Sequence, residues 1–295
     1  MLEIPAWLKE MVGKSKAAYH TELAAKTQQF LDGNLMPTVC QNARCPNRGK
    51  CFCQGEATIM ILGSICTRFC RFCAVEKGCQ KPLPPAADEP QRAANLAKVL
   101  NLKYLVLTMP TRDDLTDGGA EHIAKVCKEI ISQNPQIKIE ALISDLGGKF
   151  EFLPVILKSG ISVLGHNMET VPSLYKQVRP VAKYERSLEL LKKSKEFAPE
   201  ILTKSGLMLG LGETEEEIKA VLRDLRKVDC DLLTLGQYLA PSKLHYEVKS
   251  YPTQDYYDGL KVYALSIGFK GVMAGPLVRS SYQASSLYEN AKQNK

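Results

Sequence analysis

From Thr58 to Gly275 the sequence alternates short apolar runs with amphipathic stretches. "TIMILGSI" (58–65), "YLVLTMP" (104–110), "KIEALIS" (138–144) and "ISVLGHN" (161–167) have the length and content of buried strands. "LTKSGLMLGLG" (202–212), "DLLTLGQYL" (231–239) and "GFKGVMAG" (268–275) continue the series. Between them, "GGAEHIAKVCKEIISQN" (118–134), "FEFLPVILKSG" (150–160), "ERSLELLKKSKEF" (185–197), "TEEEIKAVLRDLRKV" (214–228) and "DYYDGLKVYALSIG" (255–268) have helical spacing. Thr214, three residues before Glu217, predicts a capping box, and Gly160 a left-handed helix stop. Six or seven strands separated by helices require a parallel sheet, because parallel neighbours need a long crossover between them. Two architectures satisfy that requirement: an open doubly wound sheet and a full or partial βα barrel. The glycines of "GLMLGLGE" (206–213) lack dinucleotide-site spacing, and no "GxxxxGK[ST]" loop is present.

Outside this core the pattern changes. The stretch before about Leu35 reads as helical, clearest in "HTELAAKTQQFL". Pro37 to Cys53 is rich in Cys, Asn, Arg and Gly and reads as a loop, and "KPLPPAADEP" (81–90) is a proline-rich connector. The expected organisation is an N-terminal extension over 1–57, a βα core over 58–275 and a C-terminal segment over 276–295.

Ten cysteines narrow the chemistry. Eight fall between Cys40 and Cys79; the other two, Cys127 and Cys230, sit in helical and strand-edge contexts and read as packed apolar residues. No apolar run is long enough to span a membrane, and the start lacks a signal-peptide pattern, so a cytoplasmic location is expected. In that compartment clustered cysteines argue for metal over disulfides. The formal net charge of +7 suits an acidic partner, but no basic run with interleaved aromatics marks a nucleic-acid face.

"CTRFCRFC" (66–73) places Cys66, Cys70 and Cys73 directly after a strand, at the end of the sheet where active sites lie. Three thiolates hold three corners of a 4Fe–4S cube and leave the fourth iron open for a small molecule. The alternative is a structural zinc site completed by Cys79 or a histidine. Paired zinc-ribbon motifs, which would favour it, are absent. Cys40, Cys45 and Cys51 form a second set of three, with four and five residues between them.

The spacing of "CTRFCRFC" resembles the cluster motif of the radical S-adenosylmethionine superfamily. Combined with "CQNARCPNRGKC" upstream, it resembles the lipoyl synthase family. The likeness continues through "RDDLTDGGAEH" (112–122), "GHNMETVPSLYKQVRP" (165–180), "YERSLELL" (184–191), "TKSGLMLGLGET" (203–214), "DLLTLGQYLAPSKLH" (231–245) and "GPLVRSSYQA" (275–284), covering roughly residues 35 to 290.

The resemblance implies a partial (β/α)6-type barrel and two 4Fe–4S clusters. One would sit on Cys66, Cys70 and Cys73 and bind S-adenosylmethionine; the auxiliary one would sit on Cys40, Cys45, Cys51 and a serine of "RSSY". Ser281 is the expected ligand, with Ser280 the alternative. A hard alkoxide on an iron otherwise held by soft ligands suits a cluster meant to be taken apart. The implied reaction places two sulfur atoms, drawn from the auxiliary cluster, at the sixth and eighth carbons of an octanoyl chain. A 5′-deoxyadenosyl radical would open each C–H bond, which has no acidity for acid–base groups to use. That chain is carried on a lysine of a lipoyl carrier domain of a 2-oxo-acid dehydrogenase or glycine cleavage system. Implied partners are an electron donor such as ferredoxin or flavodoxin and an iron–sulfur assembly or carrier protein. Neither nucleic acid nor membrane is expected.

Glu213, at the end of the glycine-rich strand, and Asn167 and Glu169 in "HNMET" are candidate cofactor contacts. Each is equally readable as a loop-ordering residue. Arg179 would hold a carboxylate or a surface acid. His122 and His245 read as solvent or core histidines, and Cys53 and Cys79 receive no role. The chain departs from the family pattern at Phe52, where Trp is usual, at Thr111 before "RDDL", and at Leu146, where Phe is common. None of these removes a proposed ligand. A tRNA methylthiotransferase would need a further RNA-binding domain after "RSSY", and a zinc-binding nucleic-acid module would not need a βα core.

Overall fold

The computed structural model describes residues 2–17, 58–78 and 82–293, together with the single residues 25, 29, 33, 36, 38, 45 and 47. Of the expected auxiliary ligands, Cys40 and Cys51 lie outside the described residues, as do Cys53, Cys79 and most of "HTELAAKTQQFL".

The chain opens with helix α1 (Ala6–Ala17). Strand β1 (Thr58–Met60) follows, then two two-residue strands, β2 (Ile65–Cys66) and β3 (Glu76–Lys77). The βα series then runs α2 (Glu89–Val99), β4 (Tyr104–Thr108), α3 (Ala120–Gln133), β5 (Lys138–Leu142), the short α4 (Leu153–Leu157) and β6 (Val163–Gly165). It continues with α5 (Tyr175–Val178), α6 (Tyr184–Phe197), β7 (Leu202–Leu209), α7 (Glu215–Lys227), β8 (Leu232–Gln237), α8 (Gln254–Ser266), β9 (Gly271–Gly275) and α9 (Ala284–Gln293).

Seven strands form one sheet in the order β1-β4-β5-β6-β7-β8-β9, which is their order in the chain. A doubly wound sheet reverses order at a switch point; this one does not. Sequential order is that of a βα barrel. The pairings β1–β4, β4–β5, β7–β8 and β8–β9 are all parallel. The near-continuous burial of β7 and β8 is what a parallel sheet covered on both faces demands.

Two compact units are distinguishable. One comprises Glu10–Arg68 and Ala74–Leu164, the other Met1–Lys9, Phe69–Cys73 and Gly165–Lys295. In the first, α2 and α3 bury Ala93, Ala94, Leu96 and Ala97 against Ile123, Val126, Cys127 and Ile130. In the second, the Thr214 hydroxyl accepts from the Glu217 amide while Glu217 accepts from Thr214 N–H, completing the predicted capping box. Gly160 takes φ +91° at the predicted helix stop.

One strand is shorter than the sequence suggests. The apolar run 58–65 reads as a single strand, but β1 ends at Met60. Leu62 adopts φ +67°, a left-handed conformation that a branched side chain rarely takes, and the chain turns there. Two buried charged groups hold it. Leu62 N–H donates to Glu89 Oε2 at 2.8 Å, and Leu62 C=O accepts from Arg112 Nη1 at 2.9 Å. His122 Nε2 meets the same Glu89 oxygen at 2.7 Å, which accounts for that histidine.

Candidate functional site

The turn at Leu62 and Gly63 delivers the chain into the cysteine loop. β2 and β3 pair in parallel, Ile65 with Glu76 and Cys66 with Lys77, so the loop is closed at its base. Thr67 ties down the outgoing side: its N–H and hydroxyl both donate to the Thr111 carbonyl at 3.0 Å, and its hydroxyl accepts from Asp113 N–H at 3.1 Å. Further along, Cys70 and Cys73 share a turn, Cys73 N–H donating to Cys70 C=O at 3.3 Å. Arg71, between them, is pinned on both sides of its backbone. Its N–H donates to Val178 C=O at 2.9 Å, and its C=O accepts from Tyr246 N–H at 2.8 Å. Its guanidinium lies 5.6 Å from the Tyr246 ring centre, and Phe72 packs on the cluster of Val178, Leu211, Tyr238, Tyr246 and Val248.

The thiols divide into two chemical classes. Cys127 and Cys230 are fully buried, and burial pushes both thiols up to about 12. They are inert core residues, as their sequence contexts suggest. Cys66, Cys70 and Cys73 are half-buried and in no disulfide, as is Cys45. That donor set fits an iron–sulfur cluster: three accessible soft ligands on a pinned loop. Among the described residues no three His, Cys, Asp or Glu side chains converge as ligands of a single ion. A cube spreads its thiolates over different irons, so single-ion convergence is not what it needs.

"HNMET" follows β6 and lies beside β7. Glu169 bridges to Leu207, its N–H donating to Gly206 C=O at 2.9 Å and its C=O accepting from Met208 N–H at 2.8 Å. Asn167 Nδ2 donates to Glu169 Oε1 at 3.0 Å. Arg179 is buried alongside, donating from Nη1 to the carbonyls of Asn167 and Met168 at 3.0 and 2.9 Å. Arg179 therefore holds backbone carbonyls, and its charge also bears on the Glu169 carboxyl. Gly206 leaves room for this group: a Cβ there would lie 3.1 Å from Asn167 Oδ1 and 2.5 Å from Thr234 Oγ1.

Glu169 sits at φ +67°, a strained position for a side-chain-bearing residue. Burial raises its pKa above the ordinary carboxylate value, with Arg179 and Asn167 opposing that rise. The native state thus keeps a proton that the unfolded chain releases. This contribution to stability is present below the ordinary carboxylate pKa and is lost as pH rises through the raised native value. Glu169→Gln is expected to remove that slope. Chemical denaturation at a series of pH values would show a flatter stability profile for the variant; an unchanged profile would mean that Glu169 titrates alike in the native and unfolded states.

Glu213 closes its own turn. Its two oxygens accept from Gly210 N–H at 2.6 Å and Leu211 N–H at 2.9 Å, and burial raises its pKa against these bonds. The "RSSY" turn in the same unit is half-buried, with Tyr282 N–H donating to Arg279 C=O at 2.9 Å. It approaches β8 so closely that a Cβ at Gly236 would lie 2.1 Å from the Val278 carbonyl oxygen. A side chain at 236 would displace this turn, which carries Ser280 and Ser281.

Two groups escaped the sequence reading. Arg68 pairs with Asp113 and Asp145, residues 45 and 77 positions away. Tyr238 donates to the Tyr246 carbonyl at 2.6 Å, its ionisation opposed first by burial and then by the nearness of Cys73. "RDDL" and "SDLGG" are visible as polar segments, but no local pattern announces their long-range partner.

Comparison with known proteins agrees with this geometry. The Radical SAM superfamily model matches residues 60–225. A lipoyl synthase of Caldanaerobacter subterraneus subsp. tengcongensis is 49% identical over 280 residues, covering 95% of each chain. One of Alkaliphilus metalliredigens is 46% identical over 291 residues, covering 99% of this chain and 98% of that one. Among solved structures, the hydrogenase maturase HydG aligns with TM-score 0.54 at 13% identity over 96% of this chain and 74% of its own. Coproporphyrinogen III oxidase (HemN) from Escherichia coli aligns with TM-score 0.52 at 16% identity over 71% and 52%. Those two likenesses concern the fold. With a superfamily model over more than half its length and near-half identity along almost all of it, the chain belongs to the lipoyl synthase family of radical SAM enzymes.

Proposed function

We propose that this protein converts a carrier-bound octanoyl-lysine to its dihydrolipoyl form, inserting sulfur at the sixth and eighth carbons. The observation that carries the reading is the pinned loop with three half-buried, unbridged thiols at Cys66, Cys70 and Cys73, in a chain of this family. These would hold the 4Fe–4S cluster that binds S-adenosylmethionine; Cys40, Cys45, Cys51 and Ser281 would hold an auxiliary cluster serving as sulfur source. When bound, the groups supply the electron, the hydrogen-abstracting radical and the sulfur that side chains cannot.

The chain's own residues then have positional work. Arg71, through its two backbone bonds, fixes the turn that presents Cys70 and Cys73. Asn167 and Glu169 offer a polar edge to the cofactor, with Gly206 leaving space beside them. Glu213 shapes the adjoining turn and supports the cofactor by ordering Gly210 and Leu211. Gly236 admits the "RSSY" turn. We assign 1–57 to the extension carrying auxiliary ligands, 58–275 to the catalytic core and 276–295 to the closing segment.

The partners we propose are octanoylated carrier domains, a low-potential donor such as ferredoxin or flavodoxin, and an iron–sulfur assembly or carrier protein, all in the cytoplasm. No helix among the described residues is long and apolar enough to cross a membrane. The test is anaerobic reconstitution, iron and sulfide counting, then incubation with S-adenosylmethionine, a reductant and an octanoylated carrier peptide. About eight irons per chain and a gain of two sulfur atoms in the peptide are expected. Formation of 5′-deoxyadenosine with no sulfur in the peptide would discard the substrate, and zinc in place of iron would discard the mechanism.

A further inference from the structure

Arg68 stands inside the cysteine loop, between Cys66 and Cys70, yet its side chain is only 5% exposed. It is held in a fork. Nε donates to Asp113 Oδ2 at 2.7 Å, and Nη2 to Asp113 Oδ1 at 2.8 Å and to Asp145 Oδ1 at 2.6 Å. Both carboxylate residues are themselves fixed. Asp113 N–H donates to the Thr67 hydroxyl, and Asp145 Oδ1 accepts from Gly147 N–H at 3.1 Å. The Arg68 amide lies 3.4 Å from Cys66 Sγ and donates to it.

A buried ion pair is a poor way to gain stability, since apolar packing of the same volume commonly does as well. What such a pair supplies is a defined geometry, and only a guanidinium offers the planar fork that two carboxylates clamp. The clamp falls on the stem of the loop, next to Cys66. Asp113 and Asp145 also bring carboxylate groups to the stem that carries Cys66. The nearby charge and the hydrogen bonds to sulfur are among the factors that set a cluster's potential.

We propose that Arg68, clamped by Asp113 and Asp145, is a positioning residue for the loop cluster: it sets the stem so that Cys66 is presented before iron arrives, and it tunes the cluster once bound. This rests on reading Cys66, Cys70 and Cys73 as cluster ligands, and the test separates the two ideas. The full chain carrying Cys40→Ala, Cys45→Ala and Cys51→Ala leaves one candidate cluster, and Arg68→Lys and Asp113→Asn are added to it singly. Circular dichroism first establishes that each apo chain is folded. The readouts are the rate of cluster loss to a chelator, followed by visible absorbance, and the midpoint potential.

Expected results are loss of the cluster at least tenfold faster in Arg68→Lys, and about threefold faster in Asp113→Asn with a potential shifted upward. Asp113 is 36% exposed, so its amide variant is expected to fold and decides the matter if Arg68→Lys does not. A folded Asp113→Asn chain whose cluster persists as long as the parent's, at the same potential, overturns the inference. A parent that binds no iron overturns the cluster reading beneath it.

Discussion

Cys70→Ala is expected to abolish sulfur insertion while leaving the protein folded. Cys70 is half-buried on a turn whose backbone is held by neighbours: Arg71 bonds to Val178 and Tyr246, and Cys73 N–H bonds to Cys70 C=O. Truncating a half-buried side chain on a turn held by backbone bonds should cost about 1 kcal/mol, too little to unfold the protein. Iron should fall from about eight to about four per chain, because one cube loses a corner ligand while the other set is untouched. Cys127→Ala and Cys230→Ala are the controls; both thiols are buried and inert, so both variants should keep full iron. Iron analysis, thermal melting and 5′-deoxyadenosine formation check all three. A Cys70→Ala chain that retains its iron and still cleaves S-adenosylmethionine would remove Cys70 from the site.

The second large effect is structural. Arg112 is 1% exposed and serves three parts of the chain at once. Nη1 donates to Leu62 C=O in the turn after β1, Nη2 to Leu83 C=O in the proline-rich connector, and Nε and Nη2 to both oxygens of Asp114. Arg112→Met keeps the volume and removes every donor. Two carbonyls and a mostly buried carboxylate are then left without that partner, a loss of about 3–5 kcal/mol. The melting temperature should fall by roughly 10 °C in calorimetry of the apo chain. The Leu62 turn, strained at φ +67°, loses one of its two anchors, so the cysteine loop that follows should also lose iron more readily. A shift under 2 °C would mean that Asp114 and the carbonyls find other partners.

The legible and illegible parts of this protein differ in range. Parallel strands bury both faces, so "KIEALIS", "LTKSGLMLGLG" and "DLLTLGQYL" announce themselves as apolar runs. The capping box at Thr214 and the stop at Gly160 are local, and local chemistry is readable. The strand order that decides between the two architectures is a long-range property, and it became clear only in the sheet. β1 ends early because Glu89 and Arg112, 27 and 50 residues away, hold Leu62, and an apolar run carries no sign of that. The same holds for the candidate site. The spacing of Cys66, Cys70 and Cys73 speaks for itself, whereas Arg68, Asp113 and Asp145 carry no mark until they meet.

Because sheet order follows chain order, each strand can pair as soon as its successor is made. The loop of Cys66, Cys70 and Cys73 lies after the first strand, and Ser281 after the last, about 200 residues later. At ribosomal rates of roughly 5–20 residues per second, that separation is about 10–40 s of synthesis. One thiolate set would therefore leave the ribosome whole, while the proposed auxiliary set, Cys40, Cys45, Cys51 and Ser281, would stay incomplete until Ser281 is made. Metallation of the nascent chain would then have a built-in order, with the ligands of the loop available long before the proposed auxiliary set is complete.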